Sequence, residues 1–256
     1  MIRVKTAIEL EKMKRACAIS AGALAAGGAA VKPGATTADV DKAVEDYIRS
    51  HGAVPNFKGY GGFPAAACVS VNDTVIHGIP SKHELLREGD IVSIDTGAIV
   101  EGFHGDNAYT FPCGTISEEA QRLLRVTRMS LLEAIRQAVS GNRVGDIGYT
   151  VQSYVQDRGY SVVKEYVGHG VGAELHEAPE VPNYGKPGRG ARLAPGMTLA
   201  IEPMINEKGA AVQLLKDGWT VKTRDGGLSA HFEHTVAITD EGPLILTPWQ
   251  VDPWNL

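Results

Sequence analysis

The chain has 256 residues, 43% of them hydrophobic and 21% charged, which excludes a disordered, fibrous or membrane-spanning protein. A net charge of −5 from 25 basic and 30 acidic residues gives no electrostatic reason for nucleic acid or an anionic membrane as main partner. Cys17, Cys68 and Cys113 form neither a C-x-x-C pair nor an even-numbered framework, and read as free thiols in a reducing compartment. Glycine is the outlier: 30 residues, about 12% against a usual 7% or so, so many backbone positions should be ones that a Cβ forbids.

In chain order, the first predicted helix covers about Ile8–Val31. Its small-apolar run after Met13 imitates a signal peptide, but Glu9 and Glu11 precede it, so it reads as an internal helix. A Gly-punctuated turn leads to a second helix, about Thr37–His51, closed by Gly52. A strand follows in residues 88–98. The same parts then recur: a helix over about Glu118–Val139, another over about Gly145–Arg158 closed by Gly159, and a strand in residues 195–205. A shift of 107 carries Gly34 onto Gly141, Asp39 onto Asp146, Gly52 onto Gly159, Gly89 onto Gly196, and Asp95 onto Glu202. Residues 1–256 are therefore expected to form a single domain built from an internal pseudo-repeat. Both strands are expected to end in their acid. Two acids brought to a shared interface favour a metal over a structural salt bridge, because unpaired buried charge is costly.

The segment around Val100–Gly102 reads as a hairpin. A two-residue loop in either available register puts Asp95 and Asp106 on one face, opposite or diagonal. Carboxylates that close need a cation between them, or one protonates. Six of the eight histidines (His77, His104, His169, His176, His231 and His234) lie in motif-like surroundings. Three glycines surround His169 in what reads as a loop that leaves the ring accessible. Pro179 follows His176 too closely for a helical zinc motif. Glu233 falls within a continuous strand predicted from Ser229 to Ile238, facing opposite to Phe232 and His234. Asp95, Asp106, His169, Glu202 and Glu233 together make an oxygen-rich set with one imidazole. That set suits a pair of divalent first-row metals better than a Cys-rich zinc site, and paired metals activate a shared water. No serine-hydrolase elbow or P-loop occurs.

Several motifs stand in order: Asn72 to Pro80 (NDTVIHGIP), Ser93-Ile94-Asp95, Phe103-His104-Gly105-Asp106, Gly168 to Gly172 (GHGVG) through His176-Glu177-Ala178-Pro179, Ile201-Glu202-Pro203-Met204, and Glu233-His234-Thr235. Together they resemble the type I methionine aminopeptidases in their short bacterial form, over nearly the whole chain. The resemblance implies a pita-bread α/β (α+β) fold, with two pseudo-symmetric halves, antiparallel sheet flanked by helices, and a dinuclear metal site between them. It implies that Asp95 chelates one metal, that Asp106 and Glu233 bridge both, and that His169 and Glu202 complete the other sphere. It gives Glu202 a proton-shuttling role, His77 a contact near the scissile bond, and His176 the stabilisation of the tetrahedral intermediate. Tyr60, Phe63, Cys68 and Trp219 would line the methionine pocket together with Phe57. Phe57 stands where bacterial relatives often have cysteine, and Phe63 where tyrosine is common. Asn72, Thr74 and Ser229 match positions that hold a monovalent cation in some members.

The implied activity is metal-dependent removal of the initiator methionine from nascent chains whose second residue is small. The implied setting is a cytoplasmic monomer with transient ribosome contact and no membrane or nucleic-acid specificity. Cobalt, manganese, iron and zinc all tolerate such a site. An Xaa-Pro aminopeptidase or prolidase, and a non-catalytic pita-bread binding protein, are the alternatives.

Overall fold

The computed structural model describes residues 2–250. The first half contains α1 (Ala7–Ala30), α2 (Thr37–Ser50), β1 (Val54–Pro55), β2 (Ala67–Val71), β3 (Thr74–Ile76), β4 (Ile91–Val100) and β5 (Phe103–Pro112). The second begins with α3 (Glu118–Arg136), α4 (Val144–Gln156), β6 (Ser161–Val162), β7 (Gly168–Gly170) and β8 (Glu177–Val181). It continues through β9 (Thr198–Ile201), β10 (Met204–Asn206), β11 (Val212–Leu214), β12 (Val221–Thr223), β13 (Ser229–His231), β14 (His234–Thr239) and β15 (Gly242–Ile245). All strand pairs are antiparallel. β4 is the centre of one sheet, flanked by β1, β2 and β5; β15-β14-β9-β7-β8 form another; β13-β10-β6 and β11-β12-β3 complete the set. Among the described residues no helix is long and apolar enough to cross a membrane, and all three cysteines are free and buried.

Local chemistry explains the boundaries. Thr6 caps α1 by accepting from the Glu9 N–H, and the Glu9 carboxylate accepts from the Thr6 N–H at 2.8 Å, the reciprocal arrangement that satisfies two orphan donors. Small residues let α1 lie directly on the β4–β5 hairpin. A Cβ at Gly105 would fall 2.6 Å from the Cys17 backbone, so helix and strand can touch only because Gly105 has none.

The 107-residue echo is carried by hydrogen bonds. The Gly34 N–H donates to Leu86 O at 2.9 Å, and Gly141 to Leu193 O at 3.0 Å. Isolated bridges join Thr36 to Leu85 and Arg143 to Arg192. Asp39 accepts from the Thr36 N–H at 2.8 Å, and Asp146 from that of Arg143 at 2.7 Å. In each half the start of the second helix is tied to the turn that feeds a site-bearing strand.

Four expectations need correction. α3 stops at Arg136 rather than near Val139. Asp95 lies mid-strand in β4 rather than at its end. The stretch around His169 is a strand between β8 and β9, and the imidazole is buried, not an accessible ring in a loop. The third and fourth carboxylates sit where predicted continuous strands break. Residues 195–205 split at Glu202-Pro203, because proline has no N–H to continue the ladder. Residues 229–238 split at Phe232-Glu233. The two breaks lie side by side: β9 pairs with β14 (Ile201 with His234), β10 pairs with β13 (Met204 with His231), and the Phe232 N–H reaches Pro203 O at 3.4 Å. Both chains change sheets at the same level, which turns Glu202 and Glu233 out of their ladders and toward the other half.

Candidate metal centre and substrate cleft

The hairpin supplies the first pair of acids. Val100 pairs with Phe103, leaving Glu101-Gly102 as a two-residue loop with φ of 50° and 76°, the left-handed pair of a type I′ turn. That register sets Asp95 opposite Ala108 and Asp106 opposite Gly97, so the two acids are diagonal neighbours on one face. Cys68 on β2 pairs directly with Asp95, which brings the thiol to the edge of the same face.

The second half closes over that pair. The Thr235 hydroxyl donates to Asp106 O at 2.7 Å and accepts from its N–H at 3.2 Å, and the Glu233 N–H donates to Ala108 O at 2.9 Å. Carboxylate oxygens of Asp95, Asp106 and Glu233 then lie within 4.8 Å of one another. His169 Nδ1 sits 2.9 Å from Gly170 O. As a donor there, it leaves Nε2 with a free lone pair, 3.8 Å from Asp106 Oδ2 and 3.4 Å from Glu202 Oε1. Asn183 donates to the Glu202 carbonyl at 3.0 Å and steadies the Glu202 corner. All five predicted acid and imidazole groups converge on one spot.

The electrostatics fit a cation. Asp95 Oδ1, Asp106 Oδ1 and Glu233 Oε1 are buried without a hydrogen-bond partner, a costly state for anions that a divalent ion relieves. Burial raises all four carboxyls: Asp95 to about 7, and Asp106, Glu202 and Glu233 well above the carboxylate range, with mutual repulsion adding to the last three. Burial, then the neighbouring His176, lowers His169 and His77 to about 4, so both rings are neutral ligands or hydrogen-bonding groups at neutral pH.

One cavity of about 200 Å³ opens onto these groups. Phe57, Tyr60, Phe63, Cys68 and Trp219 all line it, as do His77 and His176. Tyr60 Oη lies 2.7 Å from His176 Nδ1, and the His176 and His169 rings are 4.2 Å apart. His77 is held at φ 57° with its ring edge-on to Tyr166 and Trp219. Sequence reasoning missed the lining residues Ile76, Tyr166, Val167 and Leu175. Leu175 and Ile76 adjoin His176 and His77, and that adjacency was the available signal. His231, marked in the sequence only as one of six histidines in motif-like surroundings and given no role, has its Nε2 3.8 Å from Glu202 Oε2. Away from the cleft, the Ser229 N–H donates to Asn72 O at 2.9 Å, which joins two of the three residues expected at a monovalent cation, while Thr74 opens β3 nearby.

Comparison with known proteins shows the family. Residues 11–240 match the model of metallopeptidase family M24. The methionine aminopeptidase of Clostridium acetobutylicum is 54% identical over 247 residues, 96% of this chain and 99% of the relative; that of Escherichia coli is 43% identical over 247 residues, 96% and 94% of the two chains. The crystal structure of Thermotoga maritima methionine aminopeptidase superposes with TM-score 0.95 at 48% identity, covering 96% of this chain and 99% of that one. The prolidase from Pyrococcus horikoshii superposes with TM-score 0.77 at 25% identity and is covered over only 64% of its length. The chain belongs to metallopeptidase family M24 and, within it, to the methionine aminopeptidases.

Proposed function

We infer that this enzyme removes the initiator methionine from nascent polypeptides whose second residue is small. The observation that carries the reading is the junction of five convergent carboxylate and imidazole groups with one aromatic-walled cavity. Asp95, Asp106, His169, Glu202 and Glu233 would hold two divalent ions. Bound divalent metal supplies Lewis acidity and lowers the pKa of water. The apolar wall of Phe57, Tyr60, Phe63, Cys68 and Trp219 takes an unbranched thioether side chain and excludes water from it. His77, a neutral imidazole, accepts or donates at the amine and scissile amide. His176, oriented by Tyr60, donates to the carbonyl oxygen as charge develops there. Glu202, with its carboxyl raised by burial, holds and returns the proton that the leaving amine requires.

The same reading takes residues 1–256 as one catalytic domain acting as a cytoplasmic monomer on emerging N-termini. Asn72, Thr74 and Ser229 would serve a monovalent cation. A prolidase activity is disfavoured by the lower similarity to the Pyrococcus horikoshii prolidase, 25% identical and covered over 64% of its length, and a non-catalytic role by the completeness of the ligand set. Chelated enzyme reconstituted with single divalent metals and assayed on Met-Gly, Met-Leu and Ala-Pro peptides tests this directly. Release of methionine before glycine is expected; preferential cleavage of Ala-Pro would overturn it.

A further inference from the structure

We propose that His231 is a positioning residue that holds Glu202 by donating its Nε2–H to Oε2. The inference rests on the reading of Glu202 as metal ligand and proton carrier. His231 is the last residue of β13, next to the corner that presents Glu233, and it pairs across the ladder with Met204, two residues beyond Glu202. Its backbone is locked: the N–H donates to Thr110 Oγ1 at 2.9 Å, and its carbonyl accepts from the same hydroxyl at 2.8 Å. Thr110 in turn meets Ser93 Oγ at 2.8 Å. The backbone that carries the ring is therefore fixed by the sheet.

The side chain is 2% exposed, and Nε2 has no hydrogen-bond partner. A buried polar nitrogen without a partner is rare and calls for an explanation. Glu202 Oε2, 3.8 Å away, is an acceptor that a small rotation of the carboxylate brings into bonding range. Glu202 Oε1 meanwhile faces His169 Nε2 at 3.4 Å. The carboxylate thus sits between two imidazoles, one at each oxygen. With Oε2 occupied by His231, Oε1 stays aimed at the site. Supporting groups of this kind orient a ligand, and their loss costs metal affinity or turnover.

The test uses two variants. His231→Phe keeps a ring and removes the donor; His231→Gln restores an N–H at similar reach. Both are compared with wild type by kcat and KM on a Met-Gly peptide at saturating metal, by calorimetric titration of chelated protein with Mn²⁺, and by thermal melting. His231→Phe should lower kcat by about 10–100-fold while KM stays within about twofold, as expected when substrate binding is untouched. Mn²⁺ binding should weaken by a similar factor, and His231→Gln should recover most of both losses. Wild-type kcat and Mn²⁺ affinity in His231→Phe would overturn the proposal, as would a His231→Gln variant as impaired as the Phe variant. Glu202→Gln separates the two levels. If it turns over normally, the reading of Glu202 itself fails; if it is inactive while His231→Phe is fully active, only the role of His231 fails.

Discussion

Asp106→Asn should make the metal-free protein more stable while removing its response to metal. Asp106 is 3% exposed, its Oδ1 is unpartnered, and oxygens of Asp95 and Glu233 lie within 4.8 Å of its own. At that spacing two unit charges at an effective dielectric constant of about 20 repel by about 3.5 kcal/mol, a penalty the folded protein evades in part by keeping a proton. A neutral amide abolishes the repulsion and can donate to either neighbour. A realised gain of about 1–3 kcal/mol corresponds to a rise in melting temperature of roughly 2–10 °C for a chain of this size. Wild type should instead gain from metal, by about 2.7 kcal/mol when free Mn²⁺ is a hundredfold above its dissociation constant. Differential scanning calorimetry at pH 8, in chelator and then in excess Mn²⁺, reads both effects. A variant that melts below wild type in chelator, or that gains as much from Mn²⁺, would refute the assignment of Asp106 as a repelled ligand.

The remaining predictions are shorter. Asp106→Ala or Glu233→Ala should largely abolish peptide cleavage even at saturating metal, since each removes one of the carboxylates proposed to hold the metal; near-wild-type turnover would count against the proposed site. His176→Ala should slow turnover more than it weakens Mn²⁺ binding; loss of metal as the main defect would make His176 a ligand. Lys5 Nζ donates to Glu177 Oε2 at 2.7 Å, with both side chains 4% exposed. Burial alone would raise the Glu177 carboxyl, but Lys5 and the backbone donors of Glu174 and Ala173 outweigh it and hold it below the ordinary value. Its folded pKa being lower than the unfolded one, the pair stabilises fully above about pH 5 and less as pH falls through the folded pKa. Lys5→Met should therefore cost about 3–5 kcal/mol near neutral pH, with a gap to wild type in urea denaturation that narrows below about pH 4. Gly105→Ala should destabilise by at least the about 1–3 kcal/mol typical of overpacking, read as a lower melting temperature, because its Cβ meets the Cys17 backbone rather than a side chain that could move.

Much of the architecture could be read along the chain, since it depends on short-range rules. Thr6 with Glu9 and Thr36 with Asp39 announce two helix starts. The spacing of Asp95 and Asp106 across a two-residue turn is enough to put them on one face. The glycines at 34, 52, 89, 141, 159 and 196 all take left-handed φ values, which local turn geometry demands whatever the fold. Motif order added an expected role for each of the five groups that spacing and residue chemistry had already gathered into one oxygen-rich set.

Tertiary structure decided the rest, because nothing within a strand's own alternation records which sheet it leaves or joins. Glu202 and Glu233 look like strand residues in one dimension. They reach the cleft because Pro203 ends one ladder and the chain beside it crosses between sheets at the same level. His169 is buried because its ring packs against Asp106, Glu202 and His176, which come from other parts of the chain. Tyr166 and His231 join the site only through the closing of the second half over the first, across 60 or more residues from Asp106. The residue types and their local geometry were thus determined by the sequence read in order. Their convergence on one metal-binding cleft came from long-range packing, where burial cost, not propensity, chooses the partner.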